Sequence, residues 1–294
     1  MLHGSCPPSF FEDKLFPQKY TLQIKGRLIS LEKPKIMGII NLTPDSFFEK
    51  SRIKVSQEQV LTQARKMLEE GADFLDLGGY SSRPGAMEIS VQEEVDRVSP
   101  AVRWIKNEFP EALISVDTFR GKVAQSAITE GADLINDISA GNLDSEILEV
   151  VAKSGLPYLA MHMKGNPKNM QKLTEYGSFL PEILYYFAEK VEIFKKLGIK
   201  DVIIDPGFGF AKTQVQNFEL LRNLNSFRVF GLPLLVGVSR KSMIYKSLSI
   251  SADEALNGTT ALNMYSLING ANILRVHDVK EAKETIKLYE QLYP

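Results

Sequence analysis

A (β/α)8 barrel, the TIM-barrel class, is the fold that this sequence predicts, and three observations predict it. From Lys35 onward one pattern recurs: a short apolar run, a polar or glycine-lined end, a loop, a helix-period stretch and a closing glycine. The apolar runs are continuous rather than alternating, as in parallel strands buried on both faces. Eight such units in roughly 255 residues is the arithmetic of a closed barrel. The first run is followed by Asn41-Leu42-Thr43-Pro44-Asp45-Ser46-Phe47-Phe48. That is not the G-x-G-x-x-G loop of a doubly wound sheet, which is the runner-up fold.

Taken in order, residues 1–19 carry Pro7, Pro8 and Pro17 and read as a poorly structured leader. Tyr20 to Leu31 alternates apolar and polar residues and breaks at Gly26, which predicts a short hairpin over one end of the barrel. Residues 1–34 are therefore read as leader and hairpin, and 35–294 as the barrel. The predicted strands are Ile36–Ile40, Phe74–Leu77, Leu113–Val116, Leu134–Ile138, Pro157–Met161, Val202–Ile204, Pro233–Val238 and Asn272–Val276. Between and after them, Gln57–Glu70, Val91–Glu108, Lys122–Glu130, Ser145–Ser154, Pro181–Leu197, Val215–Leu224, Ala252–Ile268 and Val279–Leu292 show helical spacing. Gly71, Gly131, Gly155, Gly198 and Gly270 are placed to end helices in the left-handed conformation.

Composition narrows the function. Of 294 residues, 44% are hydrophobic and 24% charged, which excludes disordered and fibrous classes. Lys+Arg is 35 and Asp+Glu 36, so a general electrostatic grip on nucleic acid is not expected. The single cysteine, Cys6, rules out an internal disulfide and suits a reducing, cytoplasmic setting. No stretch has the apolar length of a membrane span, and Met1–Pro8 lacks a signal-peptide pattern, so no membrane partner is expected.

In such a barrel the active site lies at the carboxyl ends of the strands. These ends carry Asn41; Gly78-Gly79 with Ser81-Ser82-Arg83; Asp117; Asn136-Asp137; His162; Asp205; Ser239-Arg240-Lys241; and Arg275 with His277. Asp117, Asn136 and Asp205 offer acceptors, with the Asn136 amide as a donor, which suits a flat heterocycle bearing N–H groups. Lys241 can donate to a ring carbonyl or ring nitrogen. Arg275 and His277 are two apart and point the same way. With Asn41 and Arg83 they form an anion pocket matched to a phosphate or diphosphate. A plainer reading pairs Arg275 and His277 with Asp278 or a neighbouring helix. Asp137 reads as a turn cap, Asp76 as a structural hydrogen-bonder and His162 as a wall residue. With three histidines in the chain, a protein-only transition-metal cage is not expected. Mg2+ is different, because it keeps most of its waters and needs one or two protein oxygens, and Asn41 can supply one. Residues 42–55 and 79–90 read as loops that close over the site.

Eight segments, in order, carry a resemblance. Met37-Gly38-Ile39-Ile40-Asn41-Leu42-Thr43-Pro44-Asp45-Ser46-Phe47 and Gly78-Gly79-Tyr80-Ser81-Ser82-Arg83-Pro84-Gly85-Ala86 resemble the first two signatures of the dihydropteroate synthases. Ser115–Thr118, Ile135–Ile138, Met161–Pro167, Asp205–Phe210, Gly237–Ser242 and Arg275–Val279 match in the same order. The resemblance implies a barrel that condenses 6-hydroxymethyl-7,8-dihydropterin diphosphate with p-aminobenzoate, with Mg2+ as cofactor. It implies that Asp117, Asn136, Asp205 and Lys241 hold the pterin. Asn41, Ser82, Arg275 and His277 would hold the diphosphate, with Asn41 at the metal. Phe47, Ser82, Arg83, Pro84, Phe210, Lys241 and Ser242 would frame p-aminobenzoate. Catalysis would fall to Asn41, Glu49, Arg83, Lys241, Arg275 and His277, and the assembly would be a homodimer.

The chain departs from the family's pattern in two loops. Tyr80 and Ser82 stand where Glu and Thr are common, and Phe48-Glu49-Lys50-Ser51 replaces a glycine-containing run. Two rival readings share the pterin grip: a methyltransferase acting on methyltetrahydrofolate, and a catalytically silent pterin-binding protein. The first has no use for Arg275, His277 and the Ser239–Ser242 run. The second is disfavoured by intact Asn41, Lys241, Arg275 and His277.

Overall fold

The computed structural model of the chain describes residues 18–43, 56–82 and 87–293. Phe47, Glu49, Arg83 and Pro84 lie outside the described residues, as do most of the leader and the central parts of both expected closing loops.

A hairpin comes first, β1 (Thr21–Ile24) paired antiparallel with β2 (Arg27–Ser30). Eight strands follow: β3 (Lys35–Asn41), β4 (Phe74–Gly78), β5 (Leu113–Asp117), β6 (Leu134–Asp137), β7 (Tyr158–Met161), β8 (Val202–Asp205), β9 (Leu235–Val236) and β10 (Ile273–Val276). Their order in the sheet is β8-β7-β6-β5-β4-β3-β10-β9, with every pair parallel. A parallel bridge between Ile204 and Leu234 joins the two edges, so the sheet closes on itself. The helices around it are α1 (Gln57–Glu70), α2 (Val91–Glu108), α3 (Gly121–Thr129), α4 (Glu146–Ser154), α5 (Phe179–Lys196), α6 (Gln214–Arg222), α7 (Ser242–Leu248), α8 (Leu256–Ile268) and α9 (Val279–Leu292). All five glycines expected to end helices have positive φ.

Strand parity divides the apolar residues between two cores. Ile36, Ile40, Leu75, Leu77, Ile114 and Val116 face outward and pack with the helices. Met37, Phe74, Leu134, Leu159, Ile203, Leu235 and Ile273 face inward and form a floor, against which the hairpin packs Leu22, Ile24 and Leu31. Burial of these three side chains is what holds the hairpin on the barrel, since an isolated two-stranded ribbon is marginal in water.

The structure differs from expectation in details with local causes. Gln18 and Lys19 are not loose leader. The Lys19 ammonium pairs with buried Asp201 at 2.7 Å, and Gln18 donates to the Arg228 carbonyl. The Pro233–Val238 run yields only a two-residue strand: Pro233 has no N–H to donate, and the chain turns outward at Arg240, whose φ is 52°. Among the described residues there are three unexpected elements, the short α7 and 3-10 turns at Met170–Lys172 and Leu224–Phe230.

Candidate active site

Two residues beyond the floor position, five of the eight strands turn polar inside the barrel. From Phe74, Leu113, Leu134, Ile203 and Ile273 the step of two reaches Asp76, Ser115, Asn136, Asp205 and Arg275. A further step reaches Asn41, Gly78, Asp117, Ser239 and His277 at the mouth. Strand register sets Asn41 beside Gly78, Gly78 beside Asp117 and Asp117 beside Asn136.

Arg275 ties this layer together. Its Nε and Nη2 reach Asp76 Oδ2 at 2.7 and 2.6 Å, and Nη2 also reaches Asp117 Oδ2 at 2.7 Å. Asp76 is fully buried, so its charge needs these partners. Ser115 Oγ donates to Asp76 Oδ1 at 2.6 Å, and Asn136 Nδ2 lies 3.3 and 3.2 Å from the two oxygens. A carboxylate can only accept, so the amide nitrogen of Asn136 must face it and the amide oxygen is left for a ligand. Asp278, the alternative partner for Arg275, forms a bidentate pair with Arg240 instead, both contacts at 2.9 Å.

The opposite wall is the loop after β8. Asp205 is buried and accepts from the Gly207 amide at 2.8 Å. Gly207 has φ 74°, and a Cβ there would lie 2.1 Å from the His162 carbonyl oxygen, so only glycine lets the loop close onto β7. Lys241 caps α7, donates to the Phe208 carbonyl and sits 5.0 Å from the centre of the Phe210 ring. At the mouth, Ser239 Oγ lies 3.0 Å from His277 Nδ1 and accepts from the His277 amide. Asn41 and Ser82 are half-buried, and Ser242 is the first residue of α7.

A family model described as "Pterin binding enzyme" matches residues 37–277. The dihydropteroate synthase of Escherichia coli K12 is 42% identical over 94% of this chain and 95% of its own length. The chain belongs to the dihydropteroate synthases. Among solved structures, the Yersinia pestis dihydropteroate synthase in complex with a sulfonamide drug aligns with a TM-score of 0.87 and 40% identity, covering 92% of this chain and 98% of that one. The Xanthomonas albilineans dihydropteroate synthase with 4-aminobenzoic acid gives 0.86 and 33%, covering 94% and 98%.

Two of the expected family positions are joined directly, Arg275 and Asp117. Asn136 joins them through Asp76, and Asp205, Lys241 and Phe210 line the facing loop. The structure does not keep heterocycle and anion halves apart, because Arg275 holds carboxylates of the first. Asp76 is a structural hydrogen-bonder, as the sequence reading has it, and it organises the site through Ser115, Asn136 and Arg275. Its parity with Phe74 and Gly78 is the signal that points it inward. Asp137 has the opposite parity and takes no part. It accepts from the Ser139 and Gly141 amides and the Tyr158 hydroxyl, a turn cap. His162 is also a wall residue, its ring edge-on to Tyr186. A separate open groove of about 550 Å³, lined by Met163, Tyr176, Tyr185 and Tyr186 among others, lies on that outer side.

Burial sets the protonation of this dihydropteroate synthase site. It lowers Lys241 from 10.5 to about 8, against the pull of Asp205. It raises Asp205, with Lys241 opposing, and raises Asp117 despite Arg275, neighbouring Asp76 adding to the rise. A bound heterocycle needs Lys241 protonated and the carboxylates ionised. Pterin affinity is therefore expected to fall as pH rises through about 8, and to fall again on acidification above the ordinary carboxylate range. Stability responds differently: between about 8 and 10.5 the unfolded chain binds the Lys241 proton more tightly, so this group favours folding as pH rises. Calorimetric titration with a pterin across pH checks the first expectation; a flat profile from pH 6 to 10 refutes it.

Proposed function

We infer that the chain transfers a dihydropterinylmethyl group from 6-hydroxymethyl-7,8-dihydropterin diphosphate to the amine of p-aminobenzoate, releasing diphosphate and 7,8-dihydropteroate. The observation that carries this reading is Arg275 set among Asp76, Asp117 and Asn136, facing Asp205 and Lys241. Acceptors for the ring donors and a cation for the leaving group share one cup.

Asp205 and the Asn136 carbonyl oxygen accept from the pterin's N–H groups, and Lys241 donates to a ring oxygen or nitrogen. Depth in the barrel excludes water and strengthens each of these contacts. The guanidinium of Arg275 faces the exocyclic carbon's leaving group, and His277 with Ser239 stands at the outer end of the same wall. As the C–O bond lengthens, negative charge gathers on the diphosphate toward Arg275, and positive charge on the pterin is met by Asp76 and Asp117. The neutral arylamine, seated between Phe210, Ser82 and Ser242, attacks the carbon and loses a proton to solvent. Positioning and electrostatics suffice, with no covalent enzyme intermediate.

Among the described residues no cluster of three His, Cys, Asp or Glu side chains suits a metal. Asn41 fits the lighter requirement of Mg2+, one neutral oxygen completed by diphosphate oxygens and water. An ion held at Asn41 would supply positive charge to offset that of the leaving diphosphate. A homodimer and a cytoplasmic setting belong to the same reading; among the described residues no helix is long and apolar enough to cross a membrane.

The test is diphosphate release. Release is expected only with the pterin diphosphate, p-aminobenzoate and Mg2+ together, with chelation of the metal reducing the rate at least about a hundredfold. Release at equal rate without p-aminobenzoate refutes the transfer. Methyl transfer from methyltetrahydrofolate supports the rival enzyme, and binding without turnover supports the silent binder.

A further inference from the structure

Lys212 is 4% exposed; burial pushes its pKa well below the usual lysine range, with nearby Asp205 favouring the charged form and Lys241 and Lys164 opposing it. A buried ammonium has three protons to place and is costly unless all are bonded. Its Nζ lies 2.9 Å from the Gly207 carbonyl, 3.0 Å from the Phe210 carbonyl, 2.9 Å from His162 Nδ1 and 3.4 Å from the His162 carbonyl. Every one of these partners belongs to the loop after β8 or to the residue after β7. That loop carries Asp205, the Phe208 carbonyl that receives Lys241, and the Phe210 ring.

We propose that Lys212 is the positioning residue of the ligand cup: its ammonium pins the 205–210 loop to the end of β7, so that Asp205, Lys241 and Phe210 present together. It touches no substrate and acts through the loop. Two further features agree. Gly207 brings the loop so close to the His162 carbonyl that no side chain fits between them, and Lys212 grips the carbonyls on each side of Phe208 and Gly209. For Nδ1 of His162 to accept, the ring must be neutral with its proton on Nε2. Burial first, then the charges of Lys212 and Lys164, hold its pKa well below the usual value, and the remaining ring neighbours are Tyr176, Tyr186 and Phe187. The proposal rests on the functional reading above only for what the loop holds.

The test uses the full chain with Lys212→Met, which keeps the length of the stem and removes charge and donors. Retained far-ultraviolet circular dichroism and a cooperative melt establish that it is folded. The variant is expected to lose about tenfold in affinity for hydroxymethylpterin and to raise KM for p-aminobenzoate by a similar factor. Its His162 ring, one of three histidines to assign by NMR, is expected to titrate at higher pH than in the parent. Lys212→Arg, which keeps the charge, is expected to restore most of the affinity and the low His162 titration. Unchanged affinity and KM in Lys212→Met overturn the proposal, and so does an affinity loss with His162 titrating as before. Should Lys212→Met fail to fold, Lys212→Gln is read by the same criteria. A parent protein that releases no diphosphate strikes the transferase reading alone, since pterin affinity and the His162 titration still judge Lys212.

Discussion

Asp205→Ala is expected to weaken hydroxymethylpterin binding by at least about a hundredfold. A ligand's ring donors lose a buried, charged acceptor, and each such loss costs about 1.5–3 kcal/mol. Nothing nearby replaces it, because the Asp76 carboxylate already serves Ser115, Asn136 and Arg275. Lys241 also loses its stabilising anion, so its proton is held less firmly. Asp205→Asn keeps the shape and one acceptor and is expected to fall between the two. Calorimetry with the free pterin is the measurement, and parental affinity in Asp205→Ala means that the heterocycle is held elsewhere.

Arg275→Ala is expected to lower kcat about a thousandfold, the scale of removing a preorganised group that meets developing charge. The geometry adds a second effect. Asp76 would remain fully buried with only neutral donors, and breaking one side of such a pair costs about 3–5 kcal/mol. Affinity for the free pterin is therefore expected to fall as well, and the thermal midpoint to drop. Arg275→Lys keeps the charge but loses the planar fork that reaches two carboxylates, so it is expected to recover stability only in part. Steady-state kinetics beside a melting curve decide the matter: near-parental kcat removes Arg275 from the leaving-group end, and an unchanged midpoint removes it from the Asp76 pair.

Much of this was legible in the residues. A buried parallel strand must be apolar on both faces, so the eight runs announce themselves, and helix-ending glycines mark their spacing. The polar strand ends were legible for the same reason, since burying Asp117, Asn136 or Asp205 needs a cause. What the residues did not announce were partnerships between distant strands. Asp76 and Arg275 lie 199 residues apart, and nothing local says that they meet. Lys212 follows a glycine-rich loop and looks like any surface lysine until the loop folds over it. One N–H of Asn136 turns to the protein rather than to a ligand only because Asp76 stands beside it.

The packed floor beneath the polar layer, with the hairpin's Leu22, Ile24 and Leu31 driven against it, closes that end of the barrel, so among the described residues the way in is at the opposite mouth. Whatever reaches the Asp205 level must pass Asn41, Ser82 and His277 on the way in and again on the way out. Traffic is then last in, first out: the compound seated deepest arrives before its co-substrate, and the product that keeps its ring departs after the small anion. A slow final departure would make the finished pterin compound, rather than diphosphate, the product that inhibits by competing with the first arrival.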